Sequence, residues 1–307
     1  MGSGQPLFSV IMPTYNRADV ALEAVRSVLA QSYRGFEFII VDDRSTDDTR
    51  AVLARLTDPR VTVVTNDRST GTAGARNMGI FLAHGDWICQ IDSDDLWPED
   101  MLERLAAAIA EADEDVGIFY GSIVFFDILA DRVRDIRRAD RSGDVHDLLL
   151  EDHFMHHCSG ALRADAVRAV GGYDEELAQQ EDSDILIRLT QQWTVVALPD
   201  IKYVKREGRA DRLMIDPRAL RSFEQLYDKH ASELAGLPKA RDAQLEKIFD
   251  LAIIYGNFGS IARTWPRLLP SVWEDPKIGR RFLRQQAKVG ALLVNRMKGR
   301  VKRLLRR

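Results

Sequence analysis

The sequence predicts an α/β fold: a mostly parallel, doubly wound sheet followed by a C-terminal helical annex. Three observations carry this. Over the first ~100 residues, short apolar runs alternate with helix-period segments, the pattern of strands joined by crossover helices. Acidic clusters stand directly after two of the apolar runs. From residue 216 onward the apolar positions recur at helical spacing, punctuated by prolines.

The elements follow in order. Phe8-Ser9-Val10-Ile11-Met12 is an apolar strand stopped by Pro13. Asp19 is placed to cap a helix running to Gln31, with Val25, Val28 and Leu29 on its apolar face. Phe36 to Val41 is a second strand, ended by Asp42-Asp43. Ser45-Thr46-Asp47-Asp48 opens a second helix through Leu56, and Val61 to Val64 is a third strand. Gly74 to Gly79 begins a third helix. Trp87 to Ile91 is a fourth strand, ended by Asp92-Ser93-Asp94-Asp95. Beyond it, Met101 to Ala112 reads as a helix, Val116 to Ile128 as one or two strands, and Leu177 to Gln191 as a helix. The remainder reads as helical, with breaks at Pro238, Pro266, Pro270 and Pro276. The expected organisation is residues 1–100 and 101–215 as two halves of one α/β domain, then residues 216–307 as the annex.

Composition narrows the class. The chain has 307 residues, 45% hydrophobic and 29% charged, which excludes wholesale disorder, collagen and small disulfide scaffolds. Cys89 and Cys158 allow one disulfide at most, and a reducing compartment is the simpler expectation. The longest uncharged apolar stretch, Val116 to Phe126, falls well short of the ~20 residues a spanning helix needs. Met1 to Pro6 has neither the basic nor the apolar region of a secretory signal, so a cytoplasmic location is expected.

Charge is unevenly distributed. The net charge is −4, from 43 Lys and Arg against 47 Asp and Glu. The segment 277–307 holds 12 basic residues and no acid, which leaves the first 276 residues at −16. Nucleic acid is therefore an unlikely partner for the body of the chain. In the tail, Val289, Leu292, Leu293, Met297, Val301, Leu304 and Leu305 form an apolar stripe among arginines and lysines. A basic amphipathic helix of this kind suits an anionic membrane surface, which would make the protein peripheral on the inner face of the cell membrane. Packing of the tail on the acidic body, or a dimer contact, fits the same pattern.

The acids are the strongest chemical signal. In open α/β sheets ligands bind beyond the carboxyl ends of the strands, where Asp42-Asp43 and Asp92-Ser93-Asp94-Asp95 both fall. Three carboxylates within four residues repel one another unless a cation or donors compensate. Oxygen ligands without nearby His or Cys suit Mg²⁺ or Mn²⁺. Capping of the following helix accounts for one of these acids, not three. Gly71 to Asn77 is a glycine-rich helix start whose amides and Arg76 could face phosphate, although it matches neither common phosphate-loop pattern. Glu181-Asp182 opens an amphipathic helix, a position acids favour for dipole reasons alone. His153, His156, His157 and Cys158 cluster in sequence but lack the paired spacing of a zinc site.

Taken in order, Val10 to Arg17, Val41 to Thr49, Gly74 to Gly79, Gly85 to Ile88, Ile91 to Asp95, Gly171 to Glu175 and Glu181-Asp182 resemble the inverting family 2 glycosyltransferases. The resemblance runs from residue 7 to about residue 205. It implies the GT-A fold, a nucleotide-sugar donor and a divalent metal, Mn²⁺ or Mg²⁺. By the same resemblance Pro13, Thr14, Tyr15 and Arg17 border the nucleoside, Asp43 binds the base and Arg76 lies close to the nucleotide. Asp94 and Asp95 are the metal-facing pair, with Asp94 also reaching the nucleotide, and Asp182 is the catalytic base. Asp92, Trp97, Glu181 and His157 are candidate contacts to the sugar or acceptor. A uracil-type match at Asp43 favours a UDP-sugar, and the acceptor is expected to be a glycan or a lipid-linked hydroxyl. Arg44 stands where the family often has Gly, a residue that tolerates positive φ. A nucleotidyltransferase would share the fold and acids but needs a basic glycine-rich loop after strand one, where Pro13 to Arg17 stands instead. A non-catalytic scaffold would be favoured only if the site acids were missing.

Overall fold

The structure is a computed structural model that describes residues 8–67, 71–208 and 218–274. Its strands are β1 (Phe8–Thr14), β2 (Phe36–Asp42), β3 (Val61–Thr65), β4 (Trp87–Gln90), β5 (Val116–Asp127), β6 (Arg132–Arg137), β7 (Gly160–Arg163) and β8 (Thr194–Glu207). The helices are α1 (Ala21–Leu29), α2 (Thr49–Leu53), α3 (Thr72–Leu82), α4 (Met101–Glu111), α5 (His146–Glu151), α6 (Ala164–Ala169), α7 (Glu181–Thr190), α8 (Arg218–Lys229), α9 (Ala231–Ala235), α10 (Pro238–Tyr255) and α11 (Phe258–Glu274).

One sheet runs in the order β3-β2-β1-β4-β7-β5-β6, with β8 also paired to β5. The pairs β1–β2, β1–β4, β2–β3 and β5–β8 are parallel. β7 is antiparallel to both β4 and β5. Every residue of β1 is buried, as a central strand covered on both faces requires. Ser9 is tolerated there because its hydroxyl donates to Glu37 at 2.6 Å and accepts the Gly85 N–H at 2.8 Å. Fully buried Gln31 ties α1 to the start of α4: it donates to the Pro98 carbonyl at 2.6 Å and accepts the Leu102 N–H at 2.9 Å.

Two reversals explain how late sequence reaches the early strand ends. β5 is antiparallel to β7, and β7 to β4, so β5 and β8 point the same way as β1, β2 and β4. Their carboxyl ends share one edge. β7 runs the other way, so its beginning, and the His156-His157-Cys158 segment before it, arrives at that same edge. The crossing is tight: a Cβ on Gly160 would lie 1.8 Å from the Phe119 carbonyl oxygen, so only glycine fits.

Several expectations are corrected here. α1 starts at Ala21 with Val20 at its cap and no side-chain cap, so Asp19 does not fill that role. Asp47 instead accepts the Ala18 N–H at 3.3 Å and the Thr49 N–H at 3.0 Å. α7 begins at Glu181 rather than Leu177, after Gln180 in the left-handed region (φ 69°). Pro238 occupies the first turn of α10, where its missing N–H costs nothing, while α11 continues through Pro266 and Pro270. β6, β7 and β8 were not foreseen. Pro276 and the basic tail lie outside the described residues.

The chain divides into two compact units. The first comprises residues 1–149 and 153–214, so the two expected halves share one sheet and one core. The second comprises residues 150–152 and 215–307. Within the second, Leu245, Phe249 and Leu268 form one buried cluster and Leu220, Ile248 and Ala252 another.

Candidate functional site

The shared edge gathers side chains from β1, β2, β4, β8, α3, α7 and the segment before β7. Asp43 follows β2. It accepts from Asn66 Nδ2 at 2.9 Å and from the Gly71 N–H at 2.7 Å, while its own N–H donates to the Thr14 carbonyl at 2.8 Å. Its neighbour Asp42 is turned inward, 1% exposed, and accepts the Ser45 N–H. Arg44 has φ 64°, so this loop takes the glycine-like conformation with an arginine in place. Pro13 and Thr14 are buried beside Asp43's loop, the Thr14 hydroxyl without a hydrogen-bond partner, and Tyr15 is exposed at the rim.

Arg76 is the hub. It lies in the first turns of α3 and is 3% exposed. One nitrogen pairs with Asp92 Oδ1 at 2.9 Å and another with Glu181 Oε1 at 2.6 Å, and the guanidinium sits 5.4 Å from the Tyr173 ring centroid. A single planar fork thus joins the strand-end acids of β4 to the acids opening α7, an arrangement lysine could not make. Burial works against the charge, but Asp92 and Glu181 overcome it and hold Arg76 well above its usual pKa.

The three β4 acids have three different environments. Asp92 is tied to Arg76. Asp95 is fully buried, with one oxygen accepting the Tyr203 hydroxyl and the other the Arg206 N–H at 2.8 Å. Burial, Asp92 and Asp94 push its carboxyl up to about 7 against the opposing pull of Lys205 and Tyr203. Asp94 is held only loosely: its ion pair with Arg17 spans 3.9 Å, and its side chain is 13% exposed against 27% for Asp92. Arg206 fastens the loop, donating to the Asp94 carbonyl and to Glu23. Asp95, expected as a metal-facing partner of Asp94, therefore faces β8 and braces the loop.

Asp182 lies at the start of α7, half-buried. Its Oδ2 is 3.9 Å from His157 Nδ1 and 4.0 Å from His156 Nε2, and its Oδ1 accepts the Ser183 N–H at 2.9 Å. Burial raises its pKa, but His157, His156, Arg76 and Lys205 together bring it down to about 2, so it stays ionised. Burial drives His157 well below its usual value, reinforced by Arg76 and His156. His157 is 3% exposed with neither ring nitrogen hydrogen-bonded, so it backs Asp182 rather than meeting an incoming sugar. Trp97, also expected as a sugar or acceptor contact, packs into the first unit's core at 4% exposure. Glu181 is engaged by Arg76; burial raises its pKa, with Arg76 opposing and Asp182 adding to the rise.

Sequence reasoning missed Tyr203, Lys205, Arg206 and His156. The first three stand on β8, whose Ile201 and Tyr203 alternate with exposed or half-buried positions, a period-2 signal legible in retrospect. His156 was noticed only as one of a loop cluster. His156, His157 and Cys158 place their ligand atoms within 4.8 Å of one another. However, the Lys205 ammonium lies 2.9 Å from His156 Nε2, which opposes a cation there.

A mostly parallel strand–helix sheet with acids and an ion-pair hub along its carboxyl edge is the arrangement at which open α/β sheets bind their ligands. The sequence profile described as Glycosyl transferase family 2 matches residues 9–171, and the chain belongs to that family. Among curated relatives, it is 35% identical over 116 residues to the UDP-Glc:alpha-D-GlcNAc-diphosphoundecaprenol beta-1,3-glucosyltransferase WfgD of Escherichia coli. That stretch covers 38% of this chain and 45% of WfgD. The chain spans less than half the length of the curated relatives it matches. Solved GT-A structures share the fold. S. aureus TarS 1–349 in complex with UDP-GlcNAc aligns with TM-score 0.58 and 20% identity, over 80% of this chain and 72% of that one. The mannosyltransferase PcManGT of Pyrobaculum calidifontis, in complex with GDP-Man and Mn²⁺, aligns with TM-score 0.59 and 20% identity, over 96% of this chain and 88% of that one.

Proposed function

We propose that the protein is an inverting glycosyltransferase that moves a sugar from a nucleotide sugar, a UDP-sugar in the favoured case, to a hydroxyl of a glycan or lipid-linked acceptor in polysaccharide assembly. The observation that carries this reading is the Arg76 bridge, which brings Asp92 after β4 and Glu181 at the start of α7 onto one guanidinium. Loosely held Asp94 and ionised Asp182 flank that bridge at one sheet edge, which supports a donor meeting an attacking hydroxyl there. The names of WfgD and TarS's ligand support the uridine preference, and PcManGT's bound GDP-Man is the alternative to be tested.

The residues present fit a divalent ion: a carboxylate at a strand end, oxygen-only, with its loop clamped by Arg206. Asp94 would hold Mn²⁺ or Mg²⁺, and the bound ion supplies charge neutralisation to the departing diphosphate. Asp43, Thr14 and Pro13 form the nucleoside edge, with the unpartnered Thr14 hydroxyl available to it. Asp182 accepts the proton of the acceptor hydroxyl as its oxygen forms a bond to the anomeric carbon. The bond from that carbon to the diphosphate oxygen breaks on the opposite face. The products are the nucleoside diphosphate and a glycoside of inverted configuration, and the electron pair of the broken bond leaves with the diphosphate. Asp182 is ionised at neutral pH, so no prior deprotonation step is needed.

A panel of UDP-, GDP- and dTDP-sugars with Mn²⁺, read by thermal shift and by hydrolysis, tests the reading. Stabilisation by one nucleotide class with matching turnover is expected. A flat response to every nucleotide sugar would refute it. No helix among the described residues is long and apolar enough to cross a membrane. We assign the basic segment 277–307 to an anionic membrane surface, on its charge and apolar stripe. Co-sedimentation with anionic vesicles that is unchanged on deleting it would remove that assignment.

A further inference from the structure

Among the described residues, four of the cations at the carboxyl edge border the Asp92–Asp95 loop or its neighbours, and three are already held by carboxylates. Arg76 is bound by Asp92 and Glu181, Arg206 by Glu23, and Arg17 reaches Asp94. The fourth, Lys205, is held differently. Its hydrogen bond is to the Nε2 of a histidine, His156, at 2.9 Å. Burial works against its charge, but Asp92, Asp95, Cys158 and Asp182 outweigh it, so the ammonium remains protonated.

The donor count at His156 does not close. Burial first, and Lys205 next, lower the pKa of His156 to about 3, so its ring is neutral and has one lone pair. Two donors compete for that ring: the Lys205 ammonium at Nε2 and the Cys158 N–H at Nδ1, 3.3 Å away. An ammonium carries only donors, so whichever tautomer forms, one of the two meets an N–H. An anionic oxygen arriving at Lys205 resolves the conflict, replacing a contested neutral acceptor by a charge-assisted bond.

The geometry of β8 shows where such an oxygen would come from. Lys205 lies two residues beyond Tyr203 and so shares its face of the strand. Tyr203 touches Asp95, which places Lys205 beside the acidic loop. It also lies between that loop and Asp182, the two ends of the proposed transfer.

We propose that Lys205 is a donor-binding residue that hands its hydrogen bond from His156 to the terminal, sugar-bearing phosphate of the nucleotide, and so reads a diphosphate against a monophosphate. This rests on the glycosyltransferase reading above and goes beyond it in assigning a phosphate contact to β8. In leaving His156, Lys205 also frees the Nε2 that faces Asp182 at 4.0 Å, so donor binding and the setting of the base are joined through one imidazole.

The test is calorimetric titration of the full chain with UDP, UMP and uridine, each with Mn²⁺ and with a chelator. For Lys205→Gln, UDP affinity is expected to fall about tenfold while uridine binding stays unchanged, so the UDP-to-UMP preference shrinks. Lys205→Arg should restore part of it. A preference equal to wild type in Lys205→Gln overturns the assignment. Should the Gln variant not fold, reductive methylation of the wild-type chain read by mass spectrometry replaces it. Lys205 should be protected by saturating UDP and not by uridine, and equal labelling in both overturns the assignment. A wild-type chain that binds none of the three nucleotides defeats the parent reading as well, which separates that failure from failure of the Lys205 contact alone.

Discussion

Replacing Arg76 by Met is the sharpest test of the site's architecture. The guanidinium is 3% exposed and closes two ion pairs, at 2.6 and 2.9 Å, with Glu181 and Asp92. Removing one partner of a buried pair leaves an uncompensated charge and costs about 3–5 kcal/mol. Glu181, the less exposed of the two acids at 13%, carries most of that cost. It can relieve part of it by taking up a proton, since its pKa is already raised by burial. For a unit of about 210 residues, 1 kcal/mol corresponds to roughly 2–4 °C, so a fall of about 6–20 °C in Tm is expected for the first unit. Adding Glu181→Gln to Arg76→Met should recover about 1–2 kcal/mol, because the stranded charge goes with it. Arg76→Lys should sit between, keeping charge and losing the fork. Differential scanning calorimetry gives all four values. An Arg76→Met protein within 1 °C of wild type, or no recovery in the double variant, would refute the claim that this side chain holds the two segments together.

The other predictions concern single groups. Asp182→Asn should leave nucleotide affinity within twofold while cutting transfer by about 10²–10⁴, measured as kcat with whichever donor the nucleotide-sugar panel selects; normal turnover would make Asp182 structural. Asp94→Ala should abolish the difference in UDP affinity between Mn²⁺ and chelator, whereas a retained difference would move the ion elsewhere. Gly160→Ala should destabilise by about 3 kcal/mol or more in urea, since its Cβ would sit 1.8 Å from a backbone oxygen that β7 pairing fixes. Arg44→Gly should stabilise by about 1 kcal/mol by relieving a positive φ; an unchanged or lower urea midpoint counts against strain at that turn.

The early strands were legible because central parallel strands read as near-continuous apolar runs, as β1 and β2 do apart from Ser9 and Glu37 and their polar last residues. Asp43, Asp94 and Asp182 were legible as motif members, and the carboxyl-end rule put the first two on one edge before any coordinates. What the sequence hid is what depends on pairing across distance. Asp95 and Asp94 are adjacent and chemically identical; Tyr203 and the Arg206 N–H, more than a hundred residues later, separate the brace from the loosely held carboxylate. Trp97 reads as an aromatic contact beside an acidic motif, yet its burial depends on Ser27 and the α1–α4 packing around it. Lys205 and Arg206 are charged residues in a strand, which composition alone assigns to solvent. Pro266 and Pro270 misled for the opposite reason: a local rule against proline was overridden within α11.

The reversed strand β7 has a consequence for how such a scaffold can vary. Because it delivers its first residue, not its last, to the working edge, the stretch between β6 and β7 opens onto that edge without carrying any of the strands that support Asp43 or Asp94. Insertions there can reshape what approaches Asp182 while the Asp43 side stays untouched. The glycine crossing at Gly160 is then the fixed pivot about which a changeable vestibule is hung.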